Sequence, residues 1–141
     1  MDVRGPKDRL SRRFGVNLSG SASRSLDPRL SQPPGVHGAK RRRKQSQFGE
    51  QLGEKQKVRA IYGVKERQFS RYFEEASRQE GRPGENLMRL LEQRLDNVVY
   101  RAGFARTRPM ARQLVGHRHI TINGHIASIP SMRVQNGRAH V

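Results

Sequence analysis

The chain has 141 residues, 29 of them Lys or Arg against 12 Asp or Glu, for a formal charge of +17. No cysteine is present, which excludes disulfides and Cys-ligated zinc, and no apolar stretch approaches the roughly 20 residues that a membrane span needs. Apolar residues make up only 33%, so a polyanionic partner that relieves the self-repulsion of so much positive charge is expected.

Residues 1–48 show little periodicity and are rich in Ser, Gly, Pro and basic side chains. They read as an irregular, extended basic arm with at most short helical turns. Pro33, Pro34 and Gly35 form a turn, and Lys40, Arg41, Arg42, Arg43 and Lys44 follow as an unbroken basic run. Taken alone, such a run is weak evidence for any one role.

From Glu50 the pattern becomes helical, with Leu52, Val58 and Ile61 as sparse anchors and Gly63 as the end. A second helix is predicted from about 65 to 79, with Phe69, Tyr72, Phe73 and Ala76 as one apolar stripe. It stops in Gly81-Arg82-Pro83-Gly84. A third helix is predicted from about 85 to 102, its apolar face formed by Leu87, Leu90, Leu91, Leu95, Val98, Val99 and Ala102, with Arg89, Arg94 and Arg101 off that face.

Thr107 is a suitable N-cap for a fourth helix over 108–116. That helix is expected to bury Met110, Ala111, Leu114 and Val115 and to leave Arg108 and Arg112 together on the other side. Ile120 and Ile122 alternate with polar residues as a strand, and Asn123-Gly124 is a strong hairpin signal. A two-residue turn puts Ile126 on the Thr121 face, so either both faces are covered or a bulge resets the register. The fold class is therefore mainly α with a small β hairpin (α+β).

Charge is unevenly spread. Residues 1–60 hold 15 basic and 5 acidic side chains, residues 61–141 hold 14 and 7, and no acid follows Asp96. Exposed surfaces ordinarily mix both signs, and a one-sign stretch of this length suggests an anion footprint rather than a merely solvated face. His117, His119 and His125 lack a carboxylate or thiol to complete a metal shell, so neither metal nor cofactor is expected. No nucleophile–base pair stands out, and no enzyme is expected.

The segment "QPPGVHGAKRRRKQSQFGEQLGEKQKVRAIYGVKERQFSRYF" resembles the N-terminal region of the bacterial-type small-subunit ribosomal protein S-four family. The segment "GENLMRLLEQRLDNVVYRAGFARTRPMARQLVGHRHITINGHIASIPS" resembles the same family and its RNA-binding module, also called the alpha-L motif. That module also occurs in pseudouridine synthases and tyrosyl-tRNA synthetases, but the first segment does not. The resemblance runs from about Arg4 to Val134. It implies a basic arm over 1–48, a helical N-terminal ribosomal domain over 49–92, and an alpha-L type module over 93–141. Family chains ordinarily continue beyond this point, so the resemblance implies a member truncated at the C-terminus, with an incomplete module. Some members carry N-terminal zinc-binding cysteines, and these are absent here.

The implied function is that of a structural constituent of the small ribosomal subunit. It binds 16S-type rRNA directly, at a multi-helix junction, and nucleates assembly of the subunit body; the family is also implicated in translational accuracy. Implied partners are small-subunit rRNA, neighbouring small-subunit ribosomal proteins and the protein's own mRNA, with no membrane. The alternative is a free RNA-binding repressor of that mRNA. An RNA-modifying enzyme would need a further catalytic domain. The implied location is the cytoplasm, in the ribosome, of a bacterium or an organelle. Matched position by position, the RNA-facing set is His37, Lys40, Arg41, Arg42, Arg43, Lys44, Lys55, Lys57, Arg59, Tyr62, Arg67, Gln68, Arg71 and Tyr72. In the module it is Arg94, Arg108, Arg112, Gln113, His117, His119 and Asn123.

Overall fold

A computed structural model describes residues 7–18, 26–36, 38 and 46–134. Among these, six α-helices and one two-stranded antiparallel sheet make an α+β chain. Two compact units divide it, 1–65 and 66–141.

In the first unit, α1 (Lys7–Phe14) packs against α2 (Gln47–Tyr62). A helix of eight residues is more order than composition predicts for the arm. It is held by contacts far along the chain. The Arg12 guanidinium donates from Nε to the carbonyl of Gln32 and from Nη2 to that of Pro33, both at 3.1 Å. The buried Ser11 hydroxyl accepts from the Leu18 amide at 3.2 Å. Ser46 N-caps α2 by accepting from the Gly49 amide, and Gly63 ends it at φ 62°, a left-handed conformation that costs glycine nothing.

In the second unit, α3 (Glu66–Arg78) packs on α4 (Pro83–Glu92) through Phe69, Tyr72, Ala76, Leu87, Leu90 and Leu91, all buried. Phe73, predicted in the same stripe, is half exposed. Asn86 closes the end of α3, its Nδ2 donating to the carbonyls of Ala76, Gln79 and Glu80 at 3.1–3.4 Å. Ala76 lies in the last turn of α3, where helix carbonyls need further donors, and Gln79 and Glu80 follow directly after it.

The single helix predicted over 85–102 is two helices, α4 and α5 (Leu95–Arg101). Arg94 sits between them in an extended conformation, ψ 137°. It forms an antiparallel bridge with Arg133. The returning chain supplies the carbonyls of Met132 and Pro130 to the amides of Leu95 and Asp96 at 2.8 and 3.1 Å, and Val134 donates back to Gln93 at 2.8 Å. First-turn amides of a helix need outside acceptors, and this segment provides them.

Helix α6 (Arg108–Gly116) starts at Thr107, whose hydroxyl accepts from the Met110 amide at 3.3 Å. Ala111 and Val115 are fully buried and Leu114 partly, but Met110 is 44% exposed, contrary to expectation. Strands β1 (Ile120–Ile122) and β2 (His125–Ala127) pair Ile120 with Ala127, Thr121 with Ile126 and Ile122 with His125. There is no bulge. Asn123 and Gly124 take φ 53° and 80° in the turn. Ile126 is 65% exposed on the uncovered face, while Ile120, Ile122 and Ala127 join Leu95, Val99, Ala105, Ala111 and Val115 in one core.

Candidate nucleic-acid interface

Positive charge in the second unit is organised by a few acidic and amide side chains. Asp96 is 4% exposed and lies where α5 begins. Its Oδ1 accepts from Arg94 Nε at 3.0 Å, and its Oδ2 accepts from Arg94 Nη2 at 2.6 Å and from Arg112 Nε and Nη2 at 3.1 and 2.8 Å. The pairing thus joins α5 to α6. Burial is the largest single influence and works against the Arg94 charge, but the hydrogen bonds that Arg94 donates to Asp96 and Tyr72, with the attraction of both groups, together hold the guanidinium above its ordinary pKa. Arg94 Nη1 also donates to the Tyr72 hydroxyl at 2.8 Å.

Tyr72 has two guanidiniums near its ring, Arg94 at 5.8 Å and Arg133 at 5.9 Å. Arg133 in turn makes a two-point ion pair with Glu75. That hydrogen bond holds the Glu75 carboxyl below, and the Arg133 guanidinium above, the ordinary value. A second group forms around Glu92, which accepts from Arg101 and from Asn97. Asn97 Oδ1 accepts from Arg108 Nε at 2.9 Å, and the Arg108 guanidinium lies 4.5 Å from the centre of the Tyr100 ring.

The residues expected to face RNA fall into three groups. His37 and Lys40, Arg41, Arg42, Arg43 and Lys44 lie outside the described residues. Lys55, Arg67, Arg71, Gln113, His117, His119 and Asn123 are exposed or half-buried, as are Lys57, Gln68, Arg108 and Arg112. Arg59, Tyr62, Tyr72 and Arg94 are buried, a correction to the surface position expected of them. The reason is packing: Tyr72 lies on the inward stripe of α3, and Arg94 is 1% exposed with its charge matched by Asp96. Arg59 donates to Gln56 at 2.7 Å within α2.

Motif matching does not single out Arg101, Arg106 and Arg118 as contacts, although all three belong to the acid-free stretch and all three are exposed. That stretch is the signal that points to them. Arg118 has φ 65°. It stands where α6 ends: the Arg118 amide donates to Val115 and the His119 amide to Leu114, both at 3.0 Å. This is the Schellman pattern, whose left-handed residue is usually glycine. Arg118 is exposed, as are its neighbours His117 and His119, whose ring centroids are 6.2 Å apart. Among the described residues no group of three His, Cys, Asp or Glu could hold a metal ion, and no helix is long and apolar enough to cross a membrane.

Residues 2–92 match the family model of the ribosomal protein S4/S9 N-terminal domain, and residues 93–138 match that of the S4 domain. The chain belongs to the ribosomal protein S4 family. Over 136 residues it is 56% identical to the small ribosomal subunit protein uS4 of Xylella fastidiosa (strain M12), covering 94% of this chain and 65% of that protein. The uS4 protein of Geobacillus sp. (strain WCH70) is 56% identical over 134 residues, 95% of this chain and 66% of its own length. That of Paraburkholderia phymatum is 57% identical over 136 residues, 94% of this chain and 66% of the relative. The chain thus spans just under two thirds of the length of these curated relatives.

Proposed function

We propose that this chain acts as a structural, non-catalytic constituent of the small ribosomal subunit. It binds small-subunit rRNA directly and helps to nucleate assembly of the subunit body beside neighbouring ribosomal proteins in the cytoplasm. The observation that carries this reading is the arginine-rich, acid-free stretch of the second unit. Arg101, Arg106, Arg108, Arg112 and Arg118 lie on α5, α6 and their flanking turns, and no acidic residue occurs after Asp96. Guanidinium forks match phosphate geometry and displace condensed counterions. Histidine, Asn and Gln add contacts to folded RNA, and His117, His119, Asn123 and Gln113 are exposed for that purpose. Kinship to proteins named for the small ribosomal subunit supports the same reading. In the proposed organisation residues 93–141 form the RNA-binding module, while the basic run Lys40 to Lys44 supplies further phosphate contacts.

Sedimentation of a native lysate tests this. The protein should travel with small ribosomal subunits through a sucrose gradient and be released by high salt. A protein that remains at the top of the gradient at low salt would overturn the reading.

A further inference from the structure

An acidic side chain beside an RNA-binding edge should weaken binding, because like charges repel within the Debye length of about 8–10 Å. Glu92 stands in that position at the end of α4, 36% exposed in its side chain. Its carboxylate, however, is used to hold cations. Oε1 accepts from Arg101 Nη2 at 2.8 Å, and Oε2 accepts from Arg101 Nε at 3.2 Å and from Asn97 Nδ2 at 2.6 Å. Asn97 is 1% exposed, and its Nδ2 also reaches the Glu92 backbone carbonyl at 3.2 Å. Its remaining acceptor, Oδ1, takes the Arg108 Nε–H. One carboxylate therefore fixes Arg101 directly and Arg108 through a buried amide. The Tyr100 ring supports the Arg108 guanidinium.

We propose that Glu92 is a positioning residue for RNA recognition, ordering Arg101 and Arg108 before the nucleic acid arrives. The proposal rests on the reading that the arginines of this acid-free stretch meet RNA. Immobilising a long, rotamer-rich side chain on binding has a free-energy cost, and a side chain already ordered avoids it. The sign of the effect is the test. Electrostatics alone says that neutralising Glu92 strengthens RNA binding, whereas positioning says that it weakens binding. Glutamine is nearly isosteric but replaces one acceptor with a donor, which then faces either Asn97 Nδ2 or the Arg101 fork, both donors.

The experiment compares wild type, Glu92→Gln, Arg101→Ala and the double variant for affinity to a transcript of bacterial small-subunit rRNA, with a fully paired RNA duplex as control. Glu92→Gln should lower affinity for the transcript by about threefold to tenfold, the range expected for re-ordering one or two such side chains. The loss should shrink in the Arg101→Ala background. Nitrogen-15 relaxation of the Arg101 and Arg108 Nε–H groups in the free protein should report increased motion in Glu92→Gln, which a merely structural role for Glu92 would not produce. Equal or tighter binding by Glu92→Gln would overturn the proposal, as would a loss of the same size in the Arg101→Ala background. A wild-type protein without salt-sensitive RNA binding would remove the functional reading and this proposal together. Should Glu92→Gln lose its fold, Arg101→Lys carries the test: it keeps the charge and lacks the two-point fork, so unchanged affinity overturns the proposal.

Discussion

Arg94 and Asp96, two residues apart, face each other across the break between α4 and α5, Nε and Nη2 of the guanidinium donating to the two carboxylate oxygens at 3.0 and 2.6 Å. Both are almost fully buried, so neither charge has water to fall back on. Asp96→Asn keeps the shape and removes the charge that compensates Arg94. Breaking one partner of a buried pair costs about 3–5 kcal/mol. Urea unfolding should show a loss of that size; a change below about 1 kcal/mol would mean that Arg94 finds solvent or another partner.

Arg112 carries a related expectation. By helical spacing it lies opposite the buried face of α6, where charge reversal would spare the fold. In the structure it donates twice to Asp96. Arg112→Glu should therefore set a second carboxylate against a buried one and destabilise by roughly 1–3 kcal/mol. Arg106, in the turn before α6, is the cleaner probe of the surface. Arg106→Glu should change unfolding by no more than about 0.5 kcal/mol. For wild type, log affinity for rRNA should fall by roughly 0.7–0.9 per log unit of salt for each phosphate neutralised, and Arg106→Glu should flatten that slope by about one phosphate. A flat dependence in wild type would remove the electrostatic account.

Glu75 and Arg133 give a pH dependence of definite sign. The hydrogen bond from Arg133 lowers the folded-state pKa of Glu75 below its ordinary 4.5. The unfolded chain thus binds the proton more readily. The stabilisation is fully present above the ordinary value and is lost as pH falls through the depressed folded-state one. Both side chains are 38% exposed, so solvent screening limits the contribution to about 1 kcal/mol or less. The stability difference between wild type and Glu75→Gln should be visible near neutral pH and vanish in acid. A difference that persists unchanged in acid would show that the ion pair is not its source.

Arg118 holds a left-handed conformation, φ 65°, at the end of α6. A side chain there is strained by roughly 1–2 kcal/mol relative to glycine. Arg118→Gly should recover about 1 kcal/mol, offset in part by the greater entropy of the unfolded glycine chain, and should weaken RNA binding. Thermal unfolding and affinity would then move in opposite directions. Unchanged affinity would show that Arg118 makes no contact with RNA.

Local chemistry makes part of this fold legible in the amino-acid sequence itself. Thr107 caps an amide three residues on, Gly63 takes the left-handed conformation that ends α2, and Asn123-Gly124 adopts the positive φ angles of a two-residue turn. Each depends on atoms within a few residues, so the sequence determines it. The apolar spacing that buries Leu95, Val99, Ala111 and Val115 is equally local, and the acid-free arginine stretch is visible in composition. Only the tertiary structure decided where polar side chains spend their hydrogen bonds. No glycine or proline marks the break at Arg94; it exists because the chain returns near residue 133 and supplies carbonyls to α5. Arg112 meets Asp96 sixteen residues away and Arg133 meets Glu75 fifty-eight residues away. An arginine on a predicted outer face can thus be buried against a carboxylate, as Arg94 is, or left at the surface where a phosphate can reach it. Helical periodicity is blind to that choice, because desolvation and charge pairing depend on which segments are brought together in space.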